Sequence, residues 1–335
     1  MFYVKRNSPL TVILYPDIGA KKQQSIKVRH TKTLTYILLT LASVFWGVSF
    51  IMTKELFLTE EHMTVTILIA LRLAIATLVT LPTLAIAGKL QPIRRGPGKG
   101  LAALLRGDLK WFLLLAFCEP FIYHLCETSG VQLVSGSLAS VIIATIPLFV
   151  PFGVWAAYRK RPGAAVVVGV ALSLVGVALM LIGGDGLSGN AKGMLFLSGA
   201  VVIAVVYTLL LVKIVDRYNP LVITTWQNLI GLIYFTPLML ALDAQQLVQL
   251  SWSPRMLGLL LVLGICCSTL AYSFYNHGVH RLGAAEACVF NNTIPIFSLI
   301  AAVAIGQEGF SWMKLLGIVV VISGVVISQR PEKKN

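Results

Sequence analysis

The sequence predicts an all-α integral membrane protein whose ten transmembrane helices form two inverted five-helix repeats. Three observations lead to this prediction. Of the 335 residues, 57% are hydrophobic and 12% are charged, whereas a soluble domain carries about 25% charged residues. Apolar segments of membrane-spanning length follow one another, and the second half of the chain repeats the first at an offset of 148 residues. We therefore expect lipid to be the solvent for most of the chain.

The internal repeat is clearest around two prolines. The tripeptide Thr-Ile-Pro at 145–147 recurs at 293–295 without a gap. The same offset aligns three glycine pairs, which are Gly130 with Gly278, Gly169 with Gly317, and Gly176 with Gly324. Chance similarity between apolar segments does not align so many glycines and prolines at one shift. The chain therefore consists of two copies of one unit, and such a repeat decides the fold.

Ten apolar segments cover most of the chain, each close to the roughly 20 residues that cross a bilayer. They lie at about residues 34–53, 64–87, 110–130, 136–157, 163–183, 193–213, 221–242, 256–277, 283–305 and 313–328. Because lipid offers the backbone no hydrogen-bond partners, we expect them to be α-helices. Residues 1–33 are predicted to be a flexible cytoplasmic tail, 184–190 a linker and 330–335 a second cytoplasmic tail. The first repeat then covers residues 34–183 and the second covers residues 191–329.

The distribution of positive charge predicts the orientation in the membrane. Of the 27 lysines and arginines, 22 fall in segments on one side of the predicted bundle, four fall on the other, and Arg72 lies inside the second helix. Because cytoplasmic loops are enriched in Lys and Arg, both termini are predicted to be cytoplasmic, in an inner or plasma membrane. An odd number of helices per repeat inserts the two copies in opposite directions. Inverted repeats are typical of secondary transporters, although channels can also be built in this way.

Other protein classes find little support in the sequence. The net charge of +14 comes from short segments between apolar runs, which argues against nucleic acid as a partner. No Ser or His lies in the motif of a hydrolase or a metalloprotease, and the glycine-rich run 96–100 lacks the Ser or Thr of a phosphate-binding loop. The five cysteines lack the spacing of a zinc site. We therefore predict no enzyme, no catalytic residue, no metal and no cofactor, and we leave the oligomeric state open.

Several motifs resemble those of the drug/metabolite transporter superfamily, specifically its EamA-type members. The matching residues are Trp46-Gly47 with Phe50 in the first helix, Arg72-Leu73 in the second, and Pro147 and Pro295 in the fourth and ninth. The resemblance covers about residues 34–328. One departure is the Tyr-Arg-Lys-Arg run at 158–161, where the family usually has Gly-Glu, so any role of that acid is absent from the first repeat.

The resemblance implies a function but not a substrate. Members of the family export amino acids, drugs and assorted metabolites. It therefore implies a secondary active transporter, expected to be an exporter, that moves a small molecule by alternating access. The alternative is a passive channel or a lipid-handling membrane protein.

The third helix carries the leading candidates for a substrate or proton site. Ionisable side chains inside a membrane are costly and are functional candidates for that reason. On a regular helix Glu119, Tyr123 and Cys126 share one face, and Pro120 removes a backbone hydrogen bond beside the acid. A buried carboxyl group can bind and release a proton there, which predicts proton coupling. The alternative is a carboxyl group that only fixes helix packing. Glu127 is a second candidate, nearer the outer end.

The second repeat has neutral polar residues where the first has acids. Glu119 aligns with Cys267, so the eighth helix offers Tyr272 instead, and Asn291 and Asn292 bring amide groups to the middle of the ninth. An asymmetric lining on a symmetric scaffold is expected if the lining binds one oriented substrate. The remaining candidates are Trp46, Tyr207 and Gln227 for binding, and Pro120, Pro147 and Pro295 for helix kinks or gating.

Arg72 is interpreted as a structural residue. It lies in the outer part of the second apolar segment, where its guanidinium group could snorkel outward or contact Glu60 or Glu61. This interpretation leaves Arg72 out of the predicted site.

The topology gives a first testable prediction. A cysteine introduced as Gly98→Cys should be labelled by an impermeant thiol reagent only from the cytoplasmic side, because the 96–100 loop is predicted to lie there. Labelling of intact cells, compared with labelling of inverted membrane vesicles, measures this. Labelling of intact cells from outside would overturn the orientation of the whole bundle.

Overall fold

The computed structural model describes residues 18–86, 108–159, 163–183, 191–283, 287–288 and 290–328. Within those ranges the chain is helical and contains no strand. Four features of the sequence prediction lie outside the described residues. They are the first part of the predicted tail at 1–17, the basic loop at 96–100, the linker at 184–190 and the second tail at 330–335.

Eleven helices carry the described part of the fold. They are α1 (Ile18–Thr59), α2 (Val65–Ile86), α3 (Leu109–Leu133), α4 (Gly136–Ile143), α5 (Ile146–Tyr158), α6 (Ala164–Gly183), α7 (Ala191–Leu211), α8 (Pro220–Gln249), α9 (Pro254–Leu282), α10 (Ile294–Ile305) and α11 (Trp312–Ser328). Each predicted apolar segment overlaps one of these helices, and the fourth overlaps both α4 and α5. Several starts follow from local sequence. Ser135, Asn219 and Ser253 cap α4, α8 and α9 by accepting a hydrogen bond from a backbone N–H of the first turn.

Seven helical stretches of the described chain are long and apolar enough to cross a membrane. They are Lys32–Thr59, Val65–Ala85, Leu109–Leu133, Gly136–Gly153, Ala191–Leu211, Pro220–Gln249 and Pro254–Leu282. Three further apolar helices are shorter, at Val167–Met180, Phe290–Ile305 and Trp312–Ile327. Large aliphatic side chains such as Leu78, Leu174 and Leu195 are exposed on the surface of the bundle, as expected where lipid is the solvent.

The first helix differs from the sequence prediction. It begins at Ile18, so residues 18–33 are helical where a flexible tail was predicted. The sequence between Pro16 and Pro82 contains no proline. Lys and Gln, which are frequent in this segment, are good helix formers. Once the apolar part has nucleated the helix, each added residue extends it at little cost.

Helix interruptions occur at related places in the two halves. α3 contains a π-helical segment, Phe117–Ile122, in which Glu119 has extended backbone angles, φ −138° and ψ 112°. α9 contains a longer π-helical segment, Leu263–Leu270. Pro147 and Pro295 are each the second residue of a helix, where the missing N–H costs nothing. Irregular backbone at membrane depth is tolerated where it is buried in protein or lines a cavity.

The crossing of α6 and α11 depends on glycine. A Cβ atom on Gly176 would lie 2.6 Å from the carbonyl oxygen of Gly317, and one on Gly324 would lie 2.6 Å from that of Gly169. Small residues that let two backbones approach in this way are typical of helix pairs in membranes. Ser173 adds a hydrogen bond from its hydroxyl to the carbonyl of Val321, at 3.3 Å.

This crossing leads to a prediction about stability. Gly176→Ala should lower the melting temperature of the detergent-solubilised protein, because the new Cβ would meet backbone atoms that cannot rotate away. Overpacking of this kind costs about 1–3 kcal/mol. Gly258→Ala is the matched control, since a Cβ at that helical glycine meets no atom within 4 Å. Equal melting temperatures for Gly176→Ala and the wild type would contradict the close approach.

Candidate functional site

A polar cavity lies where the interrupted helices meet. Its volume is about 70 Å³, which is room for several water molecules. Helices α1, α2, α3, α4, α5, α7, α9 and α10 contribute to it, together with the turn before α10. Its polar and aromatic lining consists of Trp46, Ser49, Phe50, Arg72, Glu119, Tyr123, His124, Glu127, Tyr207, Thr208, Tyr272, Tyr275 and Asn291.

Seven of the nine binding candidates from the sequence line this cavity. They are Trp46, Glu119, Tyr123, Glu127, Tyr207, Tyr272 and Asn291. Gln227 lies behind the lining and donates hydrogen bonds to the backbone carbonyl of Glu119 and to the hydroxyl of Tyr207, at 3.0 and 3.4 Å. Asn292 is buried beside the cavity, and neither its amide nitrogen nor its oxygen has a partner among the described residues.

Two carboxyl groups in the cavity are joined by a histidine. Nε2 of His124 lies 3.4 Å from Oε1 of Glu119, and Nδ1 lies 3.3 Å from Oε2 of Glu127. The hydroxyl of Tyr272 donates to the same Oε1 of Glu119. A neutral imidazole has one N–H, so it can donate to only one of the two carboxylates. For both contacts to be hydrogen bonds, the group of three must hold one additional proton.

Arg72 belongs to the site, contrary to the interpretation from sequence. Its side chain neither snorkels nor contacts Glu60 or Glu61. It is buried, lines the cavity and donates a hydrogen bond to the hydroxyl of Ser268. A Cβ atom added to Gly264 of α9 would lie 3.1 Å from the backbone carbonyl oxygen of Arg72. α2 and α9 therefore approach closely beside Arg72, and its guanidinium group is held inside the bundle by Ser268 of α9.

The regular-helix assumption also misplaced part of α3. The sequence placed Cys126 on the face of Glu119, whereas the structure places Glu127 and His124 in the cavity and directs Cys126 toward Gly199 of α7. The π-helical segment adds residues to a turn and shifts the register of everything after it. The spacing of His124 and Glu127, three residues apart, was the available sequence signal for this pair.

Comparisons with known proteins identify the group to which the chain is similar. A family model described as the EamA-like transporter family matches residues 33–182 and again residues 191–329. An uncharacterized transporter of Bacillus subtilis, YcxC, is 28% identical over 92% of this chain and 97% of its own length. Another from that organism, YetK, is 25% identical over 70% of this chain and 72% of its own length. A solved crystal structure covers 87% of this chain and 96% of its own, with a TM-score of 0.63 and 17% identity, which supports the fold alone.

The buried charges lead to a prediction that needs no substrate. Arg72→Met should destabilise the folded protein, because it removes the positive charge that faces two buried carboxyl groups and leaves Ser268 without its donor. Breaking a buried pair by removing one partner costs about 3–5 kcal/mol. Adding Glu119→Gln to Arg72→Met should recover part of the loss, because the amide removes one of the unbalanced negative charges.

Melting temperatures of the two single variants, the double variant and the wild type measure this coupling as a double-mutant cycle. Strictly additive effects of Arg72→Met and Glu119→Gln would show that the two side chains do not interact.

Proposed function

The chain belongs to the EamA-like transporter family, and from this premise we propose that it is a secondary active transporter working by alternating access. Its substrate is a small metabolite, an amino acid or a drug, and its direction is export. The observation that carries the proposal is the cavity, in which residues of both halves surround a group of ionisable side chains in the middle of a membrane bundle. Ionisable groups in such a place are characteristic of substrate and proton pathways.

The proposal includes ten membrane crossings in two inverted repeats. The glycine contacts between α6 and α11 support it. Gly169 meets Gly324, and Gly176 meets Gly317. The 148-residue offset relates Gly169 to Gly317 and Gly176 to Gly324, so it converts each of these contacts into the other. Such reciprocal pairing is what a two-fold axis produces. His124 and Tyr272 are also related by this offset, and both contact Oε1 of Glu119.

Contacts between the halves at one end of the bundle support alternating access. Glu55 of α1 bonds to Arg255 at the start of α9 and to Gln307 after α10. Glu308 accepts from Ser137 of α4 and from Lys314, the latter at 2.8 Å. These polar side chains join the two halves at the end that contains the C-terminus of α3. Contacts between the halves that can form and break at one end are what alternating access requires, which favours a carrier over a passive channel.

At the opposite end of α3, the described residues include a further ion pair that joins the two halves. Asp108 pairs with Arg217, at 3.1 Å, and accepts from the hydroxyl of Tyr218, at 2.9 Å. Burial, together with the neighbouring Asp108 carboxylate, raises the pKa of Tyr218, so the phenol keeps its proton and remains a donor. The Arg217 side chain is 54% exposed, and that of Arg255 at the other end is 61% exposed. Because exposed pairs contribute little, we infer that neither pair prevents its end from separating.

Charge balance suggests how a proton is coupled to substrate. With Glu119 and Glu127 ionised, Arg72 protonated and His124 neutral, the buried group carries one net negative charge. Leaving a net charge buried is costly, so the group holds either a proton or the cationic part of a substrate. Exchange of one for the other during the opening and closing of the two ends would move them in opposite directions.

The decisive test combines ligand discovery with one substitution. A ligand that binds the native state raises its melting temperature, so a screen of purified protein against metabolites and drugs identifies a candidate substrate. Transport of that compound into proteoliposomes is then measured with and without a pH gradient. Glu119→Gln should keep exchange at equal pH but lose the part driven by the gradient, because the amide cannot titrate.

Glu60→Gln is the matched control, since that carboxylate bonds to Ser253, at 2.9 Å, and does not line the cavity. It should transport like the wild type. A Glu119→Gln variant with the wild-type rate and pH profile would refute proton coupling at this residue, and uptake that does not saturate with concentration would favour a channel.

A further inference from the structure

A second, smaller cavity lies on the α8 side of Glu119. Its volume is about 10 Å³, which is enough for one water molecule. The side chains around it are those of Glu119, His124, Thr224, Gln227, Asn228 and Tyr272. Thr224, Gln227 and Asn228 do not line the larger cavity. Glu119 therefore faces two compartments, of which one is too small for any organic substrate.

Gln227 leaves a hydrogen-bond acceptor at this smaller cavity. Its Nε2 donates to the backbone carbonyl of Glu119, which can only accept, so the orientation of the amide is fixed. Its Oε1 is buried and has no partner among the described residues. Buried polar atoms are almost always satisfied by protein or by ordered water. A water molecule in the cavity could donate to Oε1 and lie beside the Glu119 carboxyl group.

The polar lining continues along α9, away from the larger cavity. Asn276 follows Tyr272 by one turn, is fully buried, and donates from Nδ2 to the hydroxyl of Thr224, at 3.1 Å. The hydroxyl of Ser273 also contacts Thr224, at 3.4 Å. Oδ1 of Asn276 is a second buried acceptor with no partner in the described chain. Polar groups, including hydrogen-bond acceptors without a partner in the described chain, thus extend along α9 one turn beyond Tyr272.

The next turn of this face reaches the end of the bundle. His280 follows Asn276 by four residues, so the two side chains lie on the same face of α9. Nδ1 of His280 lies 3.3 Å from Oδ1 of Asp216, whose side chain is 75% exposed. Val279, on another face of the same turn, is buried in an apolar cluster with Tyr275. The polar face is therefore a narrow stripe that ends at a titratable, water-exposed pair.

We propose that this stripe is a hydrated proton route from the Asp216–His280 pair to Glu119, separate from the path of the substrate. It rests on the proposed function only in that Glu119 exchanges a proton. Each step transfers a proton along a hydrogen bond from one water oxygen to the next, so one O–H bond forms as another breaks and no co-reactant is needed. Gln227, Thr224 and Asn276 hold the waters in line, and Glu119 is the final acceptor. The route opens on the side predicted to be cytoplasmic.

The experiment uses silver ion, which is small and binds thiols. The five native cysteines are changed to alanine, and Asn276→Cys, Val279→Cys or Asn291→Cys is introduced into the full chain in proteoliposomes. Ag⁺ is applied, the protein is denatured, and the remaining free thiol is counted with a fluorescent maleimide. Asn276→Cys should be blocked by Ag⁺, whereas Val279→Cys, in the apolar cluster, should stay free. The bulky reagent MTSET should leave Asn276→Cys free.

Two results would overturn the proposal. Equal silver protection of Asn276→Cys and Val279→Cys would show that water does not reach Asn276 preferentially. Reaction of MTSET with Asn276→Cys as fast as with Asn291→Cys, which lines the larger cavity, would show that Asn276 lies on the substrate path. Neither readout requires transport, so the failure of the proposed function is distinguishable from the failure of this route.

A second measurement avoids the cysteine replacements. In the otherwise unchanged chain, the infrared C=O band of a protonated Glu119 is identified as the component that Glu119→Gln removes. The rate at which this band shifts in D₂O reports proton access. Asn276→Leu should slow the shift by at least an order of magnitude. Asn291→Leu, which removes an amide from the larger cavity, should leave the rate at its wild-type value. Equal rates for the Asn276→Leu variant and the wild type, or no infrared component that depends on Glu119, would refute the route.

Discussion

A backbone group that leaves its helix inside a bilayer has no water to bind, so an interruption at that depth must be satisfied by other parts of the protein. At Glu119 the backbone is extended, and its carbonyl accepts a hydrogen bond from Gln227 of α8. The same Gln227 side chain donates to the hydroxyl of Tyr207 on α7. The break in α3 therefore joins α3, α7 and α8 through one amide. It also turns the following part of α3 so that His124 and Glu127 face the cavity.

In the proposed two-repeat arrangement, the two halves share a scaffold but not a chemistry. Both α3 and α9 contain π-helical segments, and the 148-residue offset relates His124 to Tyr272 and Glu127 to Tyr275. All four side chains line the cavity. The first half supplies the titratable groups and the second supplies phenols, which donate hydrogen bonds but do not readily ionise. Packing positions such as the glycines of α6 and α11 kept the symmetry, because changing one member of a reciprocal contact would disturb the other.

Much of this arrangement was visible in the sequence. Helix positions follow from the length of the apolar segments, and Glu119 follows from the rarity of acids in such segments. Arg72 could not be placed in this way, because a residue near a helix end snorkels or turns inward according to its neighbours. In the structure, the inward partner of Arg72 is Ser268 of α9. His124 was missed for a different reason, since five residues after Glu119 on a regular helix place it about 140° away around the axis. The start of α1 at Ile18 was missed because the first part of this helix consists mainly of polar helix formers, whose sequence shows no helical spacing of apolar residues.

The size of the cavity relates its buried charges to the proposed opening and closing of the bundle. A volume of about 70 Å³ accommodates water and protons but is small for a metabolite. In the proposed transport cycle, a substrate would therefore enlarge the site as it enters and separate the helices of the two halves. That separation strains the contacts of Glu55 and Glu308 at one end and of Asp108 at the other. Because the arginines that pair with Asp108 and Glu55 are both largely exposed, at 54% and 61%, neither pair resists the separation strongly. A proton on the Glu119–His124–Glu127 group would instead neutralise the excess negative charge without demanding space, and the remaining negative charge would balance Arg72, which would stabilise the contracted state. In the proposed transport cycle, binding of substrate and binding of a proton would therefore favour different shapes of the same bundle, and that difference would couple them.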